Sequence, residues 1–390
     1  MKGREEFMME TRFIQPLDVL YLRGNQLFDG AGAYSAPLMP PWPSLAAGAI
    51  RSRMLSDHGV DMDAYSKGKA LLDEPLNSIL GSPETPGAFS LHHFGLARRV
   101  QSGLPKQIHH QPIYPLPADL IASEEGEAVV LHQLKSSPLP GGIRGSTPLT
   151  EAALLQVERQ IKPLGDCWLT LEGMRRWITG NLPSADQLLR SSDLWASDPR
   201  LGIALNPQRR TTQEGQLYTV DSIAMREGVG FIATVGGANE VVPNSGLLRF
   251  GGDGRGAEIV DCKIDWPQPD WQKIEEEQYF RLLLTSPGIF PQGWQLPGQD
   301  QQHRLQLSGV EVQIKSATVS RSGVVSGWDL ARWQPKAAQR VVATGAVYTL
   351  KLLEGGVDVL QKWVNDGLPI EDSQRRAEGF NRVLIANVVG

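Results

Sequence analysis

A chain of 390 residues exceeds one ordinary domain and suits two, with length enough to bury a substantial core. Its 41% hydrophobic and 21% charged residues exclude a disordered or low-complexity chain, while 41 glycines and 27 prolines, about 17% of the chain against roughly 12% in average usage, disfavour an all-helical fold. A net charge of −5 argues against wholesale polyanion binding; no run approaches the ~18 apolar residues of a membrane span, and the acids of MKGREEFMMETRF stand where a signal peptide is apolar, so a soluble cytoplasmic protein is expected.

The first element is TRFIQPLDVLYLR, whose apolar Phe13, Leu17 and Val19 are interrupted by Pro16 in the manner of an edge or bulged strand. In PPWPSLAAGAIRSRMLSDHG, Ser44 suits the cap of a helix over about Leu45 to Asp57, with Leu45, Ala49 and Met54 at helical spacing and Gly59 as the stop. Ala46, Ala47, Gly48 and Ala49 narrow one of its surfaces while Arg51 and Arg53 project outward, which suits a flat partner or a sheet and equally suits close helix packing. Residues 60–200 are less regular, with strands at AFSLHHFGLARRV and EAVVLHQL, extended chain at QPIYPLPADL and a helix at CWLTLEGMRRWITG. QLYTVDSIAMREGVGFIATVGG reads as two apolar strands joined across REG as a hairpin.

LLRFGGDGRGAEIV then sets Gly251, Gly252, Gly254 and Gly256 between a short apolar run and a strand, and the acidic, Trp- and Pro-bearing DCKIDWPQPDWQKIEEE marks a junction over 257–277. Beyond it, QYFRLLLTSPGIF opens a strand, VEVQIKSATVS and QRVVATGAVYTLKLL alternate like paired strands, VDVLQKWVNDG has helical spacing with a glycine stop, and RRAEGFNRVLIANVV ends in a strand. In both halves a hairpin is followed by a glycine-bearing loop leading into a strand. That repetition predicts a duplicated β-α-β-β-α-β unit: an α+β chain of two fused ferredoxin-like (RRM-like) domains with β-hairpin and loop insertions, the first over 10–256 and the second over 278–390.

Few residues suggest catalysis. His92 with His93 and His109 with His110 are neighbours on strands and point to opposite faces, so neither pair ligates one metal. Cys167 and Cys262 lack companions at metal spacing and read as packed thiols. GGDGRG is followed by neither Gly-Lys-Ser/Thr nor a helix, which excludes a Walker loop and a dinucleotide fingerprint. Neither metal nor cofactor is expected. Consecutive glycines turn backbone N–H groups toward an anion, and Arg249 and Arg255 flank that turn, so it is either a phosphate cradle or a tight hairpin turn. The last loop repeats the pattern, with Arg375, Arg376 and Arg382 around Gly379, Phe380 and Asn381. From Arg304 to Lys351 seven bases, among them Arg321, Lys336 and Arg340, face two acids, and Trp328 in this stretch is placed either to stack on an unpaired base or to fill a core. From Ala257 to Phe280 the balance reverses, with seven acids against two lysines.

Taken together, PLDVLYLRGNQLF, MPPWPSLAAGAIRSRML, LRFGGDGRGAEIV, SPGIFPQGW, VSGWDLARWQPKAAQRVVATGAVYTL and RRAEGFNRVLIANV resemble the third-subunit family of the Cmr complex, the type III-B CRISPR effector, within the RAMP superfamily. The resemblance spans nearly the whole chain. It implies fused ferredoxin-like RAMP domains, a noncatalytic antiviral role in binding the 5′ tag of the CRISPR RNA, and partners in the large polymerase/cyclase-like subunit and the backbone RAMP subunits, with no membrane. It makes the helix bearing Arg51 and Arg53 and the loops at Gly251–Gly256 and Glu378–Asn381 candidate tag contacts. Where such proteins commonly close the last loop with Gly-Phe-Gly, this chain has Gly379, Phe380 and Asn381, and Asn tolerates a positive φ better than most residues. The competing expectations are a RAMP-type, metal-independent endoribonuclease that processes CRISPR RNA precursors through one histidine, and a protein scaffold whose glycine loops serve only as turns.

Overall fold

The computed structural model describes residues 9–22, 34–35, 38–103, 107–126, 128–143, 145, 147–158, 160–205, 212–329 and 332–389, with the side chains of 34–35 and 202–219 outside that description. The amino-terminal MKGREEFM, the RGNQLF portion of the first motif and Leu330–Ala331 of VSGWDLARW lie outside the described residues. The main elements in chain order are β1 (Glu10–Pro16), α1 (Pro43–Asp57), β2 (Ser90–Ser102), α2 (Leu171–Ile178), β3 (Trp195–Leu205), β4 (Thr212–Met225), β5 (Val229–Gly236), β6 (Ser245–Arg249), β7 (Gly256–Asp261) and β8 (Tyr279–Leu284). They continue with β9 (Arg304–Leu307), β10 (Val310–Thr318), β11 (Trp328–Asp329), β12 (Gln334–Pro335), β13 (Val347–Glu354), α3 (Val357–Asp366), α4 (Ser373–Ala377) and β14 (Val383–Asn387). The fold is α+β, built from antiparallel sheets with helices against them. Among the described residues no helix is long and apolar enough to cross a membrane.

The chain divides into two compact units, and the division is not sequential. Unit 1 comprises Met1–His110, Ser192–Lys263 and Val324–Gln339; unit 2 comprises Gln111–Ser191, Ile264–Gly323 and Arg340–Gly390. The contiguous boundaries expected at 10–256 and 278–390 are therefore not those adopted. The 257–277 stretch is not a junction either, because β7 occupies an inner place in the sheet of unit 1 and helix Trp271–Glu277 belongs to unit 2.

In unit 1, β2, β5, β1, β7 and β6 lie side by side in that order, every pair antiparallel, with Phe13 opposite both Ile232 and Val260. All eight residues of β5 are buried, as a strand packed on both faces requires. Gly230 is needed there, since a Cβ would collide with the Ile14 carbonyl oxygen and the Phe13 ring. Helix α1 buries Ala46, Ala47, Ile50 and Met54 and lies against β2 and β6. It starts with Pro43 in the first turn after extended Trp42, so proline's fixed φ opens the helix and the expected Ser44 cap is not used. Gly59, at φ 65°, ends the segment as expected. The hairpin expected across REG is absent: β4 pairs with β3 and with Tyr34–Ser35, whereas β5 joins β1 and β2, so the turn links two sheets.

In unit 2 the order is β9, β10, β13, β8, β14, again antiparallel throughout. Alternation along β8 sends Phe280, Leu282 and Leu284 into the core that holds Leu360 and Trp363 of α3, and sends Leu283 into a second core with Met174, Trp177 and Ile178 of α2. Arg281 shares the α2 side, fully buried, and donates to Asp119 Oδ2 at 2.6 Å, Trp177 O at 2.6 Å and Asn387 O at 2.8 Å, with its guanidinium carbon 4.0 Å from the Trp177 ring centroid. These bonds tie residues 111–191 to the carboxyl-terminal sheet. The four principal strands of each unit, taken in chain order, occupy the same spatial permutation: β7-β1-β5-β2 in unit 1 and β14-β8-β13-β10 in unit 2. The helices do not repeat. Between its four principal strands, unit 1 has helices after the first strand and none in 237–255; unit 2 has none in 285–309 and has α3 and α4 before the fourth strand.

Candidate nucleic-acid interface

The first glycine loop is the turn between β6 and β7, closed by Phe250 N donating to Arg255 O at 2.8 Å. Gly251, Asp253 and Gly254 have φ of 90°, 58° and 64°, which carries the chain round in four residues. Gly252 N donates to Tyr21 O at 2.8 Å, and a Cβ on Gly251 or Gly252 would approach that oxygen to 3.2 or 3.3 Å, so both glycines serve a close backbone approach. Among the described residues the amides of Asp253 and Gly254 meet no acceptor. Arg249 is exposed at the end of edge strand β6.

Arg255 is more engaged than its neighbour. Its Nη1 pairs with Asp18, its Nη2 donates to Tyr21 Oη at 3.4 Å, and its guanidinium carbon sits 4.9 Å from the Tyr21 ring centroid. Arg53 bonds Asp57 at 2.6 Å and donates to the Leu247 carbonyl, pinning α1 along the outer edge of β6. Arg51 turns elsewhere on the same helix, with its guanidinium carbon 4.8 Å from the Phe89 ring centroid. Asp18 and Tyr21, and Arg200 on β3, were not singled out in the sequence. Asp198 first, with Tyr21 adding, holds the exposed Arg200 guanidinium above its ordinary pKa, which makes it a second cation beside this tyrosine after Arg255. No spacing signals this group, because Asp18 and Arg255 are 237 positions apart and meet only through the β1–β7 pairing.

The second glycine loop is interior. Arg375, Glu378, Gly379, Phe380, Asn381 and Arg382 are all buried, and only Arg376 is exposed. Arg375 pairs with Glu378 at 3.1 Å and lies 5.1 Å from the Phe380 ring centroid. Asn381 takes φ 59°, accepts from Ile289 N at 2.6 Å and donates to Pro369 O at 2.9 Å, so its side chain is spent on the fold. Arg382 donates to Asn365 O at 3.0 Å, and burial pushes its pKa down to about 10. Gly379, Asn381 and Arg382 thus present no surface, and the phosphate cradle expected here has no opening.

Of the remaining candidates, Arg321 and Arg340 are exposed in unit 2, and Lys336 is half-buried in unit 1 with its N–H on Gly327 O at 2.9 Å. Trp328 is 51% exposed, which rules out a core role, and meets Trp333, 74% exposed, edge-on with centroids 6.2 Å apart on the β11–β12 hairpin. Trp333 was not singled out in the sequence. Burial pushes His93 down to about 4, and burial followed by Arg99 and His109 does the same to His110. Among the described residues no three His, Cys, Asp or Glu side chains come together as a metal site, and Cys167 and Cys262 are free and buried, the Cys262 thiol pushed up to about 12 by burial and Asp261.

A family model for the CRISPR-associated protein (Cas_Cmr3) matches residues 12–388, from β1 through β14. The chain belongs to this family. The Cas_Cmr3 match includes α1, both glycine loops and the tryptophan hairpin. The CRISPR system CMR subunit Cmr3 of Saccharolobus solfataricus (strain ATCC 35092 / DSM 1617 / JCM 11322 / P2) is 23% identical over 190 residues, 47% of this chain and 52% of its own length, so the match spans about half of that curated relative. The chain is also similar to a chain of the type III-B Cmr-beta complex bound to cognate target RNA, at 13% identity, TM-score 0.47 and 96% of both chains covered. A chain of the Csm3-Csm4 subcomplex of the type III-A CRISPR-Cas interference complex aligns over 98% of this chain and 100% of its own, at 10% identity and TM-score 0.37.

Proposed function

We propose that this Cas_Cmr3 family member is a noncatalytic subunit of a type III-B antiviral effector complex that holds the 5′ tag of the CRISPR RNA, beside the large polymerase/cyclase-like subunit and the backbone RAMP subunits. The observation that carries this reading is the open turn over Gly251–Arg255, where two backbone amides without acceptors among the described residues lie beside exposed Arg249. Amides and guanidinium together offer a phosphate a fixed set of charge-assisted donors. Arg53 along the same edge strand, and the exposed Trp328 of unit 1, supply further charge and a stacking face. The shared strand permutation supports reading each unit as a RAMP-type ferredoxin-like domain that keeps one of the fold's two helices. A noncatalytic role is favoured by His93 and His110, which burial holds neutral, whereas general acid–base catalysis uses a group titrating near the working pH.

Crosslinking from the 5′-terminal nucleotides of the guide in the assembled complex tests the contact. Adducts are expected in 249–256 and at the α1 edge; adducts only outside 44–56, 249–256 and 304–382 reject the reading. With three or four phosphates held, the slope of log affinity against log salt is about 2 to 3 in magnitude. Repeat RNA incubated with the purified protein in EDTA is expected to stay intact.

A further inference from the structure

We propose that Arg255 is a positioning residue rather than a phosphate contact: with Asp18 and Tyr21 it clasps the glycine turn, so that the amides of Asp253 and Gly254 and the guanidinium of Arg249 meet the RNA. This rests on the reading that the turn holds tag phosphate. All three nitrogens of Arg255 are accounted for within the protein. Nη1 is on Asp18, Nη2 is on the Tyr21 hydroxyl, and Nε is buried without a partner, out of reach of any ligand at the surface. The plane of the group rests on the Tyr21 ring, and only 23% of the side chain is exposed, whereas Arg249 is exposed.

The partners of Arg255 also hold the turn itself. The Tyr21 carbonyl takes the Gly252 amide at 2.8 Å, and Leu17 N donates to Gly256 O at 3.1 Å, so the segment following β1 is fastened to both sides of the turn. The Arg255 side chain closes that clasp through Asp18, one residue beyond Leu17. For Arg255 to reach a phosphate it would have to release a carboxylate, a hydroxyl and an aromatic face at once. Asp253 and Gly254 lie at the apex, with positive φ and amides that meet no acceptor among the described residues, and need no such exchange.

Binding of the tagged guide RNA by the assembled complex, measured over a range of salt, separates the roles. Arg249→Ala is expected to weaken binding about tenfold and to lower the salt slope by about 0.7, the loss of one single-strand phosphate contact. Arg255→Ala and Asp18→Asn are each expected to weaken binding about three- to tenfold with the slope unchanged, and the double variant to bind no worse than either single one, because both open the same clasp. A slope lowered by about 0.7 in Arg255→Ala, or tighter binding by Asp18→Asn through a freed guanidinium, overturns the inference while leaving the tag reading in place. Asp18→Asn is nearly isosteric at an exposed position and keeps the test decisive if Arg255→Ala does not fold. Unchanged affinity and slope in Arg249→Ala take the tag away from the turn and overturn both.

Discussion

The two glycine-bearing loops stand at matching places, each leading into the fourth strand of a sheet with the same strand permutation, yet their surroundings are opposite. In unit 1 the loop follows edge strand β6, and nothing among the described residues lies within 4 Å of a Cβ built on Gly254. In unit 2 it follows α3 and α4, and residues 287–289 and Pro369 close over it through Asn381. A glycine beside arginines therefore has no fixed meaning. At a hairpin tip it turns amides outward; behind a helix it lets the chain pass through a core, and the arginines become buried struts.

Several measurements would break or sharpen this contrast, beginning with the largest effect. Arg281→Met removes the charged partner of buried Asp119 and is expected to cost about 3 to 5 kcal/mol in urea unfolding; a loss under about 1 kcal/mol would mean the network does not fasten the 111–191 segment to the carboxyl-terminal sheet of unit 2. Acid should act next, and on unit 1. His93 is neutral when folded and takes a proton near pH 6.5 when unfolded, so its stabilisation is present above about pH 6.5 and is lost as pH falls toward about 4, by at most about 3 kcal/mol. His93→Gln should flatten that pH dependence, and an unchanged profile would assign the acid sensitivity to other groups.

Asn381→Ala leaves the Ile289 amide and the Pro369 carbonyl without their side-chain partner and puts a Cβ residue without local polar support at φ 59°, an expected loss of about 2 kcal/mol measured by denaturation. In the assembled complex the same variant should keep the wild-type salt slope for guide RNA. Smallest of all in stability is Arg249→Ala, expected within about 0.5 kcal/mol of wild type because the side chain is exposed. Its RNA affinity should nevertheless fall, the reverse of the Asn381 pattern.

Much of the local structure was legible in the sequence. Helical spacing and the Gly59 stop mark α1, although Pro43 and not Ser44 opens it; period-two alternation marks β10 and β13, and Gly367 ends α3 where the spacing said it would. The family was legible as well, since six motifs spread along the chain carry it. The REG turn misled because turn chemistry reports how a chain reverses and says nothing of which strands then pair. The interleaved units were hidden for a related reason: Arg281 meets Asp119 and Trp177 across more than 100 positions, and the burial of the two charges is unreadable in composition.

By itself, the sequence determined the α+β class, the positions of α1, α3 and the principal strands of each sheet, the repetition of a strand pattern in two halves and the family. Those follow from backbone propensity, side-chain periodicity and motif, all of which act over a few residues. Only the tertiary structure decided which glycine loop faces solvent, which arginines are free and which are struts, and that Asp18 and Tyr21 stand against Arg255. Exposure and partnership depend on what packs from elsewhere in the chain. The glycine excess that at first only disfavoured a helical fold thus resolves into two loops of one pattern, one open at a surface and one closed in a core.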